Sequence, residues 1–204
     1  MKHSNFKRRL KEIEQAEKRG LSSCSTELAT QLIKDYPDRG RAWFEFGRQV
    51  YPTGRYDDAL LALRRALRLC PPEKRHLVQG HLGHLYRKKG EFRRAEAWYR
   101  KALAGDPRDA TWHIFLGALL TDSGRLKEAE AIYRKATRCP EGCIDEAYLN
   151  LGLVLKVQQH YAEARACFKK ALKVTPTYKE ARQELKEIEH LHILTARKGW
   201  KRRR

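Results

Sequence analysis

Residues 83–103 read GHLYRKKGEFRRAEAWYRKAL, and two kinds of residue alternate in them with regularity. Gly83, Ala95 and Ala102 are small, and Tyr86, Phe92 and Tyr99 are aromatic, all at spacings that keep them on one side of a helix. Small residues let two helices approach closely, while Leu82 and the aromatics fill the space between that pair and the next. Gly90 sits where a first helix must end and the chain reverse, a place that suits a residue free to take positive φ. Pro107 cannot continue a second helix. The stretch therefore predicts a helical hairpin, with an apolar face that only another hairpin can cover.

The same pattern recurs. From Gly83 the marks fall at Tyr86, Gly90, Phe92, Ala95, Tyr99, Ala102 and Pro107; from Gly47 they are Val50, Gly54, Tyr56, Ala59, Leu63, Ala66 and Pro71. From Gly152 they are Leu155, Gln159, Tyr161, Ala164, Phe168, Ala171 and Pro176. From Gly117 they are Leu120, Gly124, Leu126, Ala129, Tyr133 and Ala136, with the proline one residue early at Pro140. The anchor glycines lie 36, 34 and 35 residues apart, and four copies in register cover residues 40–178. A degenerate copy, residues 6–39, keeps Ile13, Ala16, Gly20, Ala29, Leu32 and Pro37 but has Ser22 and Ser25 where an aromatic and an alanine are expected.

WFEFG at 43–47, HLGHLY at 81–86 and AEAWYRKAL at 95–103 resemble the tetratricopeptide repeat, whose signature joins W-x2-L-G-x2-Y, A-x3-F and a distal proline. The resemblance implies an all-α, right-handed superhelical solenoid of helix-turn-helix repeats. On this reading residues 1–39 form N-terminal helices and a degenerate first repeat, and four repeats span 40–75, 76–109, 110–144 and 145–178. A capping helix is expected at 179–196, with an apolar stripe at Ala181, Leu185, Ile188 and Leu191, and a flexible basic tail at 197–204.

The resemblance also implies a non-catalytic interaction scaffold whose first helices line a concave groove for an extended or helical peptide. The lining carried over residue by residue is Arg41, Phe44, Arg48 and Tyr51; Leu77, Gly80, His84, Arg87 and Lys88; Thr111, Ile114, Ala118 and Thr121; Glu146, Leu149, Leu153 and Lys156. Its first half is basic and its second largely apolar, so the expected ligand is an acidic and hydrophobic peptide or protein surface. The Lys and Asn clamp by which co-chaperone repeats hold EEVD tails is absent: Leu10, Phe44, Gly80, Ile114 and Leu149 stand three before the anchors and Glu14, Arg48, His84, Ala118 and Leu153 one after them, which argues against that partner.

The charge adds a second expectation. The 204 residues carry 44 Lys and Arg against 25 Asp and Glu, a formal +19, and residues 64–101 alone hold twelve Lys or Arg against Glu73, Glu91 and Glu96. An acidic partner is indicated. The alternative to a protein is RNA or the ribosome, with Arg93, Arg94, Lys198, Lys201, Arg202, Arg203 and Arg204 on phosphates and Trp200 stacking on a base.

Little else points to chemistry. No G-x-S-x-G, P-loop, H-E-x-x-H or G-x-G-x-x-G occurs, so no catalytic site and no cofactor are expected. Cys139 and Cys143 in CPEGC lack two further ligands for zinc, and His81 with His84 lacks a third, so both pairs read as structural, the histidines as helix surface and groove lining. The odd five cysteines do not form a disulfide framework, and the N-terminus lacks an apolar leader, so a cytoplasmic protein without a membrane span is expected.

Overall fold

The computed structural model describes the backbone of residues 2–201 and the side chains of residues 4–190. The chain is all-helical and divides into two compact units, Met1–Gly105 and Asp106–Arg204. In the first, α1 (Lys2–Lys18) pairs with α2 (Ser22–Asp35), α3 (Gly40–Val50) with α4 (Tyr56–Leu69) and α5 (Arg75–Lys88) with α6 (Phe92–Gly105). In the second, α7 (Ala110–Asp122) pairs with α8 (Leu126–Ala136) and α9 (Ile144–Val157) with α10 (Tyr161–Val174), against which α11 (Lys179–Lys201) packs. Where a tail was expected from residue 197, α11 continues to Lys201: Ala196, Arg197 and Lys198 favour a helix, and no proline stops it.

Four of the second helices end at the same distance from a proline. Helix α2 stops at Asp35 before Pro37, α4 at Leu69 before Pro71, α6 at Gly105 before Pro107 and α10 at Val174 before Pro176. The ring of a proline disfavours helical ψ in the residue preceding it, and Tyr36, Cys70 and Thr175 have ψ of 59°, 140° and 90°. Helix α8 has its proline later, and the loop it leaves folds back so that the Ala110 amide donates to the Glu141 carbonyl, 2.9 Å.

In the four clear repeats the anchor glycine meets a residue sixteen positions on. A Cβ at Gly83 would lie 2.6 Å from the Tyr99 ring, one at Gly117 would lie 2.6 Å from the Tyr133 ring, and the Phe168 ring fills the same slot over Gly152. Real Cβ atoms do not come so close, so only glycine admits the ring. The α1/α2 hairpin reverses the sizes. Ile13 stands at the anchor and Ala29 at the ring position, both buried in one cluster, so the slot is filled from the opposite helix. Ser25, in the alanine slot, is also buried, and its hydroxyl lies 3.0 Å from both the Ser22 carbonyl and Gln49 Oε1, its one proton shared between the two acceptors.

The turn after the first helix closes by the same bond in both units. The Glu91 amide donates to the Tyr86 carbonyl, Arg125 to Leu120 and His160 to Leu155 at 2.8–2.9 Å, a closure that places the preceding residue in the left-handed region. Gly90 meets that demand with φ +75°, whereas Gln159 adopts φ +65° despite its side chain.

Candidate functional site

The groove positions carried over from the repeat pattern fall into two groups. Phe44, Ile114 and Leu149 are buried and belong to the hairpin cores. Arg41 and Lys88 are exposed, while Arg48, His84, Arg87, Ala118, Leu153 and Lys156 are half-buried on the first helices and Tyr51 is half-buried in the turn that follows α3. The basic tail residues Lys198, Trp200, Lys201, Arg202, Arg203 and Arg204 lie outside the described side chains.

In the first unit the face of α3 is built around a carboxylate that the sequence did not single out. Glu45 is buried, 3% exposed, and receives Arg41 at 2.5 Å and Arg48 at 3.0 Å. Both terminal nitrogens of Arg48 also donate to Glu17 at the end of α1, each at 2.7 Å, a two-point pair. Burial works against the Arg48 charge, and the glutamates outweigh it, leaving the guanidinium pKa raised. A cavity of about 560 Å³ opens between α1 and α3, lined by Leu10, Lys11, Glu14, Glu17, Lys18, Arg41, Glu45 and Arg48. Its wall mixes both signs, with Lys11, Lys18, Arg41 and Arg48 beside Glu14, Glu17 and Glu45.

Beside it the histidines of α5 form part of an aromatic ladder. Phe44, His81, His84 and Tyr99 meet edge to face, with centroids 5.0, 5.6 and 5.4 Å apart, and Tyr99 Oη lies 2.9 Å from His84 Nδ1. Burial, reinforced by the His84, Arg48 and Arg41 charges, pushes His81 down to about 3. Burial with Arg87 and Lys88 pushes His84 down to about 4. Both rings are therefore neutral at physiological pH, and His84, expected as groove lining, is a rung of this ladder.

The second unit carries no acidic or basic residue at the matching positions. The turns that carry Glu45 with Arg48 and His81 with His84 in the first unit carry Phe115 with Ala118 and Asn150 with Leu153 here. Lys156, the cation of this face, donates to Glu184 at 2.6 Å and Glu187 at 2.8 Å of α11. In each unit, then, a helix outside the four clear repeats supplies carboxylates to a cation of the nearest first helix.

The basic run of residues 64–101 is partly structural. Lys89 faces Asp57, Arg94 faces Glu91 and Arg100 faces Glu96. Arg65 lies over Trp43 and Lys101 over Trp98, while Lys170 lies over Tyr148 in the equivalent place of the last repeat. Arg68, Lys74, Lys88 and Arg93 are exposed and have no ion-pair partner among the described residues.

Among the described residues no cluster of three His, Cys, Asp or Glu could hold a metal, and no helix is long and apolar enough to cross a membrane. Cys139 Sγ lies 3.6 Å from His113 Nδ1 and 3.7 Å from the Pro107 carbonyl, and burial raises the pKa values of Cys139 and Cys143 above the usual thiol range.

Comparison with known proteins bears on this architecture. No curated protein matches by sequence. A solved structure from a functional characterisation of Pseudomonas aeruginosa PilF is 26% identical, superposes with a TM-score of 0.66 and covers 78% of this chain and 72% of its own. YrrB, described as a TPR protein with an unusual peptide-binding site, is 17% identical with a TM-score of 0.60, covering 85% and 88%. A thermophilic TPR protein of Thermus thermophilus is 20% identical with a TM-score of 0.67, covering 90% and 98%. Models of the tetratricopeptide repeat match residues 26–74, 82–142 and 145–178, so the chain belongs to the tetratricopeptide repeat family.

Proposed function

We propose that the chain is a non-catalytic scaffold that holds a peptide or protein surface against the faces of its first helices, and that the bound segment combines acidic with large apolar residues. The observation that carries this reading is the α3 face. An open cavity of about 560 Å³ adjoins exposed Arg41, whose nearest carboxylate, Glu45, is shared with Arg48 and hidden from solvent. A ligand carboxylate can approach Arg41 from outside without displacing Glu45. The family supports the same reading, as does YrrB, whose description gives it a peptide-binding site. A cytoplasmic location fits a scaffold of this kind.

A displayed library of random peptides, panned against the full chain, tests this. The expected result is enrichment of peptides pairing Asp or Glu with Leu, Ile or Phe, and binding roughly tenfold weaker to the double substitution Arg41→Ala, Lys88→Ala with its helical content intact. Enrichment no greater than on a basic control protein, or binding indifferent to the substitutions, overturns the proposal.

A further inference from the structure

A smaller pocket lies where the end of α4 meets the starts of α3 and α5. Its volume is about 170 Å³, and its walls are Gly40, Phe44, Leu69, Pro71, Leu77 and Val78, with Cys70 on its lining and Arg41 and Lys74 at its margin. A dry cavity of about 150 Å³ is large enough to bind benzene, so this one has room for one ring or one branched aliphatic side chain. Gly40 makes the close approach possible, since a Cβ there would lie 2.8 Å from the Cys70 nitrogen and 2.9 Å from its sulfur.

Every charge found to act on the Cys70 thiol is positive. They are Arg41, Lys74 and Arg75, and the last also donates from Nε to the Cys70 carbonyl, 3.3 Å. Burial nevertheless keeps the thiol pKa raised. Arg41 shares Glu45 with Arg48, whereas Lys74 is exposed and has no ion-pair partner among the described residues. An apolar hole edged on one side by cations fits an apolar group that carries a carboxylate next to it.

Building on the scaffold reading above, we infer that this pocket is the anchoring subsite of the first unit: it takes one large apolar side chain of a peptide, and Lys74 with Arg41 receives the carboxylate of an adjacent Asp or Glu. The interaction needs no covalent bond to Cys70. The thiol is a reporter placed on the pocket by the fold, which allows the subsite to be tested without knowing the partner.

The test exchanges small disulfides onto the full chain in mild reductant and maps occupancy at each cysteine by mass spectrometry. Three probes suffice: an aryl carboxylate, an aryl amine of the same length, and a short alkyl carboxylate without the ring. At Cys70 the aryl carboxylate should exceed the aryl amine by roughly tenfold more than it does at exposed Cys24, and should also exceed the ringless acid. Lys74→Glu should collapse that preference, and Val78→Trp, which fills the hole, should suppress both aryl probes at Cys70 while sparing Cys24. Equal ratios at the two cysteines, equal capture of the ringless acid, or no capture at Cys70 overturns the inference. Should the pocket fail while peptide panning still gives Arg41-dependent binders, the scaffold stands without this anchor. Should the pocket succeed while panning fails, it is a small-molecule site and the scaffold reading falls.

Discussion

Two consecutive turns of the first helices separate the units. In residues 1–105 they carry Glu45 with Arg48 and His81 with His84; in residues 106–204 they carry Phe115 with Ala118 and Asn150 with Leu153. Beneath both lies the same contact, an aromatic ring seated on a glycine, as in Tyr99 on Gly83 and Phe168 on Gly152. The charge follows the lining: residues 1–105 hold 24 Lys and Arg against 12 Asp and Glu, while residues 106–204 hold 20 against 13, with six of the 20 in the last eight residues. Hairpin packing and face chemistry are thus set by different positions, so one can change while the other stays.

The most damaging way to probe the shared part is to empty the ring slot. Tyr99→Ala and Phe168→Ala should each cost about 3–5 kcal/mol, because a large buried side chain is lost over a glycine that cannot refill the space. Urea melts of the two variants read this directly. Similar losses support a common packing unit, and a loss under about 1 kcal/mol in either shows that its slot collapses without cost.

A middle-sized effect separates the units. His81 and His84 titrate near 3 and 4 in the folded chain and near 6.5 when unfolded, so the unfolded state takes up protons first as pH falls. Their contribution is present above about pH 6.5 and is lost as pH falls toward the folded values, roughly 2.5 kcal/mol for each histidine by pH 4.5. Hydrogen exchange at pH 7.5 and 4.5 should show protection falling more in α3 and α5 than in α9, and His81→Leu should reduce the difference. Equal falls in both units would sink the assignment to the ladder.

The smallest effect concerns a single turn. Gln159 holds a left-handed conformation that Gly90 adopts freely, so Gln159→Gly should stabilise the second unit by about 0.5–1 kcal/mol. Thermal melts check it, and an unchanged or lowered midpoint shows that the Gln159 side chain compensates for its backbone.

Most of the hairpin was legible because the small and aromatic residues recur at fixed offsets and each pair meets within one repeat. The size exchange in the first hairpin becomes legible only once the ring slot is seen, since Ile13 and Ala29 each look ordinary alone. Glu45 escaped because a charged residue on a helix reads as surface, and its burial depends on Arg41, Arg48 and the α1 helix acting together. The partners of Arg48 and Lys156 escaped for a similar reason. They come from the helices outside the clear repeats, where the offsets give no register.

On the proposed function, the α3 and α5 face of the first unit, and not its charge in general, selects the partner. The direct measurement titrates the full chain, wild type and Arg41→Ala with Lys88→Ala, with a panned peptide and with a single-stranded RNA from about 50 to 500 mM salt. Peptide binding should persist at moderate salt and weaken roughly tenfold in the double variant, with RNA weaker and unaffected by the substitutions beyond the loss of two charges. RNA binding tighter than peptide binding at every salt concentration, with the peptide indifferent to the double substitution, would contradict it.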